Sequence, residues 1–281
     1  MSYTAKQKFK AVKVFNKATI PCACYILIVT ICILFQGCYL GLEYSPYSTD
    51  VDYKNLNKKN IDRIKARESE SSNYRIALIA DTHRFYTETE NVIKVLNSRN
   101  DLDFVFILGD ITDVGLLKEY NFAYDIFSKL YCPFIVIAGN HEFLGYGENI
   151  YKKMFGPLNF NFTFRGTEFI CFNDSNWESG EPDWWWLEQT AALSYEQHKI
   201  VLAHIDCSIT SERFNQEQVD RFNDIVKSYF DMAFHAHDHV NSYKLIEDIP
   251  RYHVGSPQHR HYVILEYDYN TDNFTVELCT F

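Results

Sequence analysis

Five apolar runs in this 281-residue chain each break off into residues that bind metals. YRIALIA (74–80) leads into Asp81-Thr82-His83, and DFVFILG (103–109) into Asp110 and then Asp113. PFIVIAG (133–139) leads into Asn140-His141-Glu142, HKIVLAH (198–204) ends in His204, and DMAFHA (231–236) runs into His237-Asp238-His239. Short runs of this content suit strands buried on both faces. Helical patterns lie between them: Glu88–Arg99, with Val92, Val95 and Leu96 on one face, then Leu116–Leu130 and Asn215–Tyr229. EFICFND (168–174) reads as a further strand, followed by a helix at Asp183–Tyr195. Strands alternating with helices imply right-handed crossovers and a largely parallel sheet. The tail from Tyr243 to Phe281 alternates in strand fashion, with turns at Pro250, Gly255 and Asn270–Asp272, and suggests a second, more antiparallel sheet.

The carboxyl ends of strands in an open α/β sheet share one edge, where ligands bind. Five separate segments therefore bring Asp81, Asp110, Asn140, His83, His204, His237 and His239 to one rim. So many polar groups together would be costly to bury unless a metal or water satisfied them. Imidazoles, carboxylates and one amide oxygen, without thiolates, suit zinc, iron or manganese. Seven ligands are too many for one such ion with an open position, and about right for two ions sharing a carboxylate. A metal pair roughly 3.5–4 Å apart clamps the attacking and leaving oxygens of a displacement at phosphorus.

The set D-x-H, GD-x-x-D-x-G, GNHE, H and a final H-x-H resembles the calcineurin-like metallophosphoesterase family over about residues 74–265. The resemblance implies a four-layer α/β/β/α sandwich with two central mixed sheets. It implies hydrolysis of a phosphoester substrate by a metal-bridging hydroxide. Residue by residue, it makes Asp81, His83 and His239 ligands of one divalent ion, Asp110 the bridging carboxylate, and Asn140, His204 and His237 ligands of the second. His141 matches the histidine that stabilises the phosphoryl oxygens or protonates the leaving group, and Asp113 a carboxylate that orients it. The alternatives are a phosphodiesterase acting on lipid headgroups or cyclic nucleotides, and a non-catalytic binding lipoprotein on the same fold.

This chain departs from the family pattern at two positions. Ala236 stands where a glycine is usual before H-x-H, and His235 precedes it, so HAHDH admits a second register with His235 and His237 as ligands. The register with His237 and His239 keeps the apolar strand MAFHA in place. Val114 replaces the arginine that protein Ser/Thr phosphatases use to grip phosphate, which argues against that branch. Substrate choice is expected from loops 84–90, 143–150, 176–183 and 208–214, with Gly145 and Gly147 making the second of these flexible. Arg260, between His259 and His261, is a candidate to line the cleft. His198 and His253 read as ordinary core histidines. In Asp183-Trp184-Trp185-Trp186, Asp183 reads as a helix cap, with two tryptophans packed and one outward.

Charge and hydropathy divide the chain into 1–37, 38–73 and 74–281. Five lysines (Lys6, Lys8, Lys10, Lys13 and Lys17) and no acid occupy the first 17 residues, whereas 22 basic residues face 37 acidic ones from residue 38 onward. The acidic body excludes a general nucleic-acid binder, which needs a basic surface. The lysines precede the apolar run Cys22–Phe35, which fits a signal segment or, extended to Leu42, a membrane anchor. Leu34-Phe35-Gln36-Gly37-Cys38 resembles a relaxed bacterial lipobox, with cleavage after Gly37 leaving a lipidated Cys38. Either reading puts the body outside the cytoplasm at the cell envelope, in the periplasm. Residues 38–73 read as a polar tether with one short helix near Lys54–Lys65, and 74–281 as the folded domain. Cys132, Cys171, Cys207 and Cys279 are widely spaced and read as buried thiols.

Overall fold

The computed structural model describes residues 22–39, 45–67 and 72–281. The lysine-rich tip lies outside the described residues, as do the side chains of the Leu34–Cys38 lipobox. Helix α1 (Cys22–Tyr39) lies in an N-terminal unit ending at Ser45, and a compact body runs from Pro46 to Phe281. Among the described residues no helix is long and apolar enough to cross a membrane.

The body follows the order α2 (Leu56–Lys65), β1 (Tyr74–Ile79), α3 (Tyr86–Ser98), β2 (Phe104–Leu108), α4 (Leu117–Phe127), β3 (Phe134–Ile137), α5 (Gly147–Met154), β4 (Phe160–Phe164) and β5 (Thr167–Phe172). There follow α6 (Asn176–Ser179), α7 (Trp184–Leu193), β6 (His198–Ala203), α8 (Gln216–Tyr229), β7 (Met232–His235), β8 (Ser242–Ile246), β9 (Ile249–His253), β10 (His261–Asp268) and β11 (Asn273–Thr280). One sheet has the order β11-β10-β1-β2-β3 and the other β4-β5-β6-β7-β9-β8. Parallel registers set Ile79 beside Ile107, Leu108 beside Ile137 and Leu202 beside Phe234, so the ligand-bearing ends of neighbouring strands stay level.

Alternation along the strands builds the layers. In β2, Phe104, Phe106 and Leu108 enter the core between the sheets, where Phe162, Phe169, Ile200, Leu202 and Phe234 meet them. Val105 and Ile107 face outward onto the layer of α3, α4 and α5. In β6, Val201 and Ala203 face α7 and α8 through Leu187, Phe222 and Val226. The result is the four-layer α/β/β/α sandwich with two mixed sheets.

Some elements differ from the pattern-based reading. The tail does not form a sheet of its own: β8 and β9 extend one sheet, while β10 pairs antiparallel with β1 and carries β11 at the edge of the other. Pro250 lies within β9, and the reversal falls at Glu247 and Asp248, both with left-handed backbone. Gly147 begins α5 instead of extending a loop, and β4 has no counterpart in the sequence reading. Helix α2, inside the segment read as a tether, is folded against the sheet. Its Asn57 Nδ2 donates to the Val136 carbonyl (2.7 Å), Val136 N donates to Asn57 Oδ1 (3.0 Å), and Asn60 Nδ2 donates to the Phe134 carbonyl (2.8 Å). These amides complete the free edge of β3. The tryptophan run is as read: Asp183 accepts from Trp186 N, Trp184 is buried, and Trp185 is exposed. Cys171, Cys207 and Cys279 are buried free thiols, and Cys132 is half-buried.

Candidate metal centre

Each candidate ligand stands one to four residues past a strand end, where the chain turns sharply. Asp81, His83, Asp110, His237 and His239 all adopt left-handed backbone, with φ of 50°, 40°, 51°, 69° and 61°. Such conformations cost non-glycine residues roughly 1–3 kcal/mol each and persist where the surroundings over-determine them. Two glycines make the turns possible. A Cβ on Gly109 (φ 83°) would lie 2.6 Å from Gly139 N, and one on Gly139 would collide with the Asp110 carboxylate.

Asp110 sits at the middle. Its Oδ2 is 3.0 Å from His204 Nε2, 3.8 Å from His83 Nε2 and 4.0 Å from His141 Nε2. Asp81 Oδ1 is 3.8 Å from His204 Nε2 and 3.7 Å from His239 Nε2. Donor atoms of Asp81, His83 and His239 form one compact group, those of Asp110, His204 and His237 a second, and those of His83, Asp110 and His141 a third that overlaps both. Asp81 and His204 are fully buried, and both Asp81 oxygens and Asn140 Oδ1 have no hydrogen-bond partner. Buried carboxylate oxygens without donors are rare in folded proteins, and a cation is what such oxygens suit.

Hydrogen bonds aim two of the imidazoles at the centre. His83 Nδ1 lies 3.2 Å from the Thr112 carbonyl, and His204 Nδ1 lies 2.7 Å from that of Leu108. A carbonyl only accepts, so each Nδ1 carries a proton and each Nε2 is aimed at the centre. Burial opposes charge on His204, but Asp110 and Asp81 push it up to about 10. Burial pushes His83 and His239 below the usual histidine range and His237 down to about 4, which favours the neutral, ligating form. Burial alone would raise Asp110, but His204, His141 and His83 outweigh it and hold the carboxyl ionised. Burial also raises Asp81 well above the carboxylate range, the expected result for an oxygen pair lacking donors.

The centre rests on two further buried acids. Glu142 accepts from the backbone N–H of Asp110 (2.8 Å), Ile111 (3.0 Å), Thr112 (3.1 Å) and Gly139 (2.8 Å), and from the Thr112 hydroxyl (3.0 Å). Asp174 accepts from Ile205 N at 3.0 Å, fixing the chain beside His204. The sequence reading missed the support from Asp174, although EFICFND ends in it as the other strands end in ligands.

Three readings take a different form in the structure. His141 is oriented by the main chain of Asp113, its Nδ1 donating to that carbonyl at 2.6 Å. The Asp113 carboxylate instead meets His83 Nδ1 (3.2 Å) and Arg84 Nε (2.8 Å). Arg260 turns to the carbonyl and ring of Phe281 and does not line the centre. His235 is fully buried, its Nδ1 donating to the Ile205 carbonyl at 3.0 Å, and belongs to neither donor group, so His237 and His239 are the pair that faces the centre.

A cleft of about 300 Å³ opens beside His237. Trp177, Ile209 and Arg213 line it, from two of the four loops expected to govern substrate choice. Arg213 stacks on Trp177 at 4.8 Å and holds Glu178 through both terminal nitrogens (2.7 and 2.9 Å).

Comparison with solved structures finds the same fold. GAP50, the anchor in the inner membrane complex of Plasmodium, superposes with a TM-score of 0.59 at 13% identity, over 74% of this chain and 84% of that one. An archaeal phosphodiesterase gives a TM-score of 0.43 at 13% identity, over 73% of this chain and 99% of the other. The phosphopantetheinyl hydrolase of Mycobacterium tuberculosis gives 0.45 at 14%, over 66% and 91%. No curated protein sequence matches the chain. The model of the calcineurin-like phosphoesterase family matches residues 74–241, which hold every candidate ligand. With the fold, the clustered donors and that match together, the chain belongs to the calcineurin-like phosphoesterase family and is a metal-dependent phosphoester hydrolase.

Proposed function

We propose that this hydrolase works with two divalent ions, manganese, iron or zinc, and is held at the cell envelope by its N-terminal segment. The observation carrying the dinuclear reading is the presence of two separate donor groups, one with Asp81 and one with Asp110, together with three buried oxygens, on Asp81 and Asn140, without a hydrogen-bond partner. Asp81, His83 and His239 would hold one ion, and Asn140, His204 and His237 the other, with Asp110 between them. Bound ions of this kind neutralise phosphoryl oxygens and acidify water.

The chain's own groups do the rest. His141 Nε2 lies 4.0 Å from Asp110 Oδ2, with about a third of its side chain accessible and Nδ1 tied to the Asp113 carbonyl. In this reading Nε2 meets the phosphoryl group and gives its proton to the departing alkoxide. The Asp110 carboxylate accepts from His141 N (2.9 Å), which couples the backbone of the proton donor to the bridging position.

The cleft beside His237 favours a diester. Its 300 Å³ would take a second ester substituent, and the exposed Trp177 and Ile209 give that substituent apolar cover. Lipid headgroup diesters and cyclic nucleotides are both of this class. The test is turnover of bis-nitrophenyl phosphate and nitrophenyl phosphate by the full chain with added manganese. Faster diester hydrolysis is expected, a preference for the monoester would sink the diester reading, and no turnover of either would sink the proposal.

Envelope attachment draws support from α1, whose Tyr25, Ile26, Leu27 and Ile28 side chains are more than half exposed in water. Such a surface calls for lipid cover. A periplasmic location follows if the five lysines remain inside. Fractionation of cells producing the wild type and Cys38→Ala separates the two modes: release only of the variant means lipidation, and retention of both means an uncleaved anchor.

A further inference from the structure

The turn carrying His237 and His239, like the one carrying Asp81 and His83, has two of its three residues left-handed. Its ends are tied by the backbone: Ala236 N donates to the His204 carbonyl (2.8 Å), and Ser256 N to that of His239 (3.1 Å). Its middle residue, Asp238, is tied by a side chain. Asp238 Oδ2 lies 3.4 Å from His253 Nδ1, and His253 Nε2 lies 2.9 Å from Asp206 Oδ2. Asp206 is anchored in turn by Ser208 N (2.9 Å) and Lys244 Nζ (3.5 Å). His253 is 1% exposed and ends β9, so the anchor is rigid.

We propose that Asp206, His253 and Asp238 form a charged clip that holds the His237–His239 turn in its strained backbone and so sets the ligands of both ions. His253 and Asp238 are then positioning residues. Because His237 falls in one donor group and His239 in the other, one clip governs both halves of the centre. An ordinary core histidine needs one partner for each ring nitrogen and no charge. Here each nitrogen meets a carboxylate, one from the loop after β6 and one from the turn after β7. Burial opposes the charge, but the carboxylates override it and push the His253 imidazole up to about 9, so Nε2 is hydrogen-bonded to Asp206 and Nδ1 is ion-paired with Asp238. A carboxylate clipped through a histidine is how outer groups fix metal-binding side chains, with losses of roughly 10–100-fold in affinity when removed.

This inference rests on the two-ion reading, and one calorimetric titration of the full chain with manganese(II) tests both. The wild type is expected to take two ions. Asp238→Asn should weaken both sites at least about 10-fold without lowering the melting temperature, because the Asp238 side chain is largely exposed. Asp238→Glu keeps the charge and should restore most of the affinity. His253→Gln should weaken binding similarly, and the double variant should be no worse than the weaker single one, as for groups acting in series. An Asp238→Asn protein binding both ions within twofold of wild type overturns the clip, as does an additive double variant. A wild type that takes no manganese overturns the two-ion reading and the clip with it.

Discussion

At the scale of single residues, the centre separates side chains that face its middle from side chains that hold those in place. Glu142 shows the second kind. One carboxylate satisfies four backbone N–H groups and a hydroxyl, and so ties the Asp110 turn to the Gly139 turn. In the proposed reading His141 belongs to neither kind: its Nδ1 is spent on the Asp113 carbonyl, and its Nε2, which groups with His83 and Asp110, is kept for the phosphoryl group. His141→Ala should therefore keep two ions by elemental analysis while turnover falls at least about 100-fold, the usual worth of a placed proton donor. A metal content that dropped to one would make His141 a ligand instead. The clustering of the candidate ligands was legible in the sequence because donor chemistry was concentrated at strand ends. The outward turn of the Asp113 carboxylate was not, since residue type says nothing about whether a side chain or its own carbonyl does the orienting. Asp174 and His253 were hidden for a similar reason: their roles depend on loops brought together only by the fold.

At the scale of elements, buried parallel strands were the most readable, because their apolar runs have few alternative folds. Boundaries agree to within about two residues for β1, β2, β3, β6 and β7. The misjudged elements were those whose local signals conflict. Gly145 and Gly147 look like a loop, yet a Cβ on Gly147 would meet the Glu142 carbonyl oxygen at close quarters, so its glycine serves close packing at the start of α5. Helix α2 was seen as a helix, but its polar surface concealed its packing. Leu56, Asn57, Asn60 and Ile64 are buried along it, and two of these are amides because β3 offers an open edge of carbonyls and N–H groups. Asn57→Ala removes both bonds to Val136, although Tyr151 Oη still donates to that carbonyl (2.7 Å). The loss leaves Val136 N buried without a partner, at a cost of about 1–3 kcal/mol. Urea denaturation should show the midpoint falling with an unchanged slope. A change below a few tenths of a kcal/mol would mean water replaces the amide.

At the scale of the whole molecule, charge and hydropathy foretell a division, and the structure draws it at a different residue. The compact body begins at Pro46 rather than at Tyr74, where the family match and the first strand begin. The 28 residues between hold Val51 and Leu56 in the helical outer layer and Ile64 in the core between the sheets. Each such side chain contributes roughly 1.5–3 kcal/mol when buried, and the α2 amides cover an edge that would otherwise template aggregation. A chain beginning at Pro46 should therefore stay soluble and monodisperse without detergent, and hydrolyse a nitrophenyl ester as fast as the full chain. A chain beginning at Tyr74 keeps every ligand, yet should melt at least about 10 °C lower, by the several kcal/mol just counted, and elute partly as aggregate. Thermal melts and size-exclusion chromatography of the two side by side decide the matter. If the shorter chain melts within about 2 °C of the longer, α2 is an appendage and the domain begins where its first strand does.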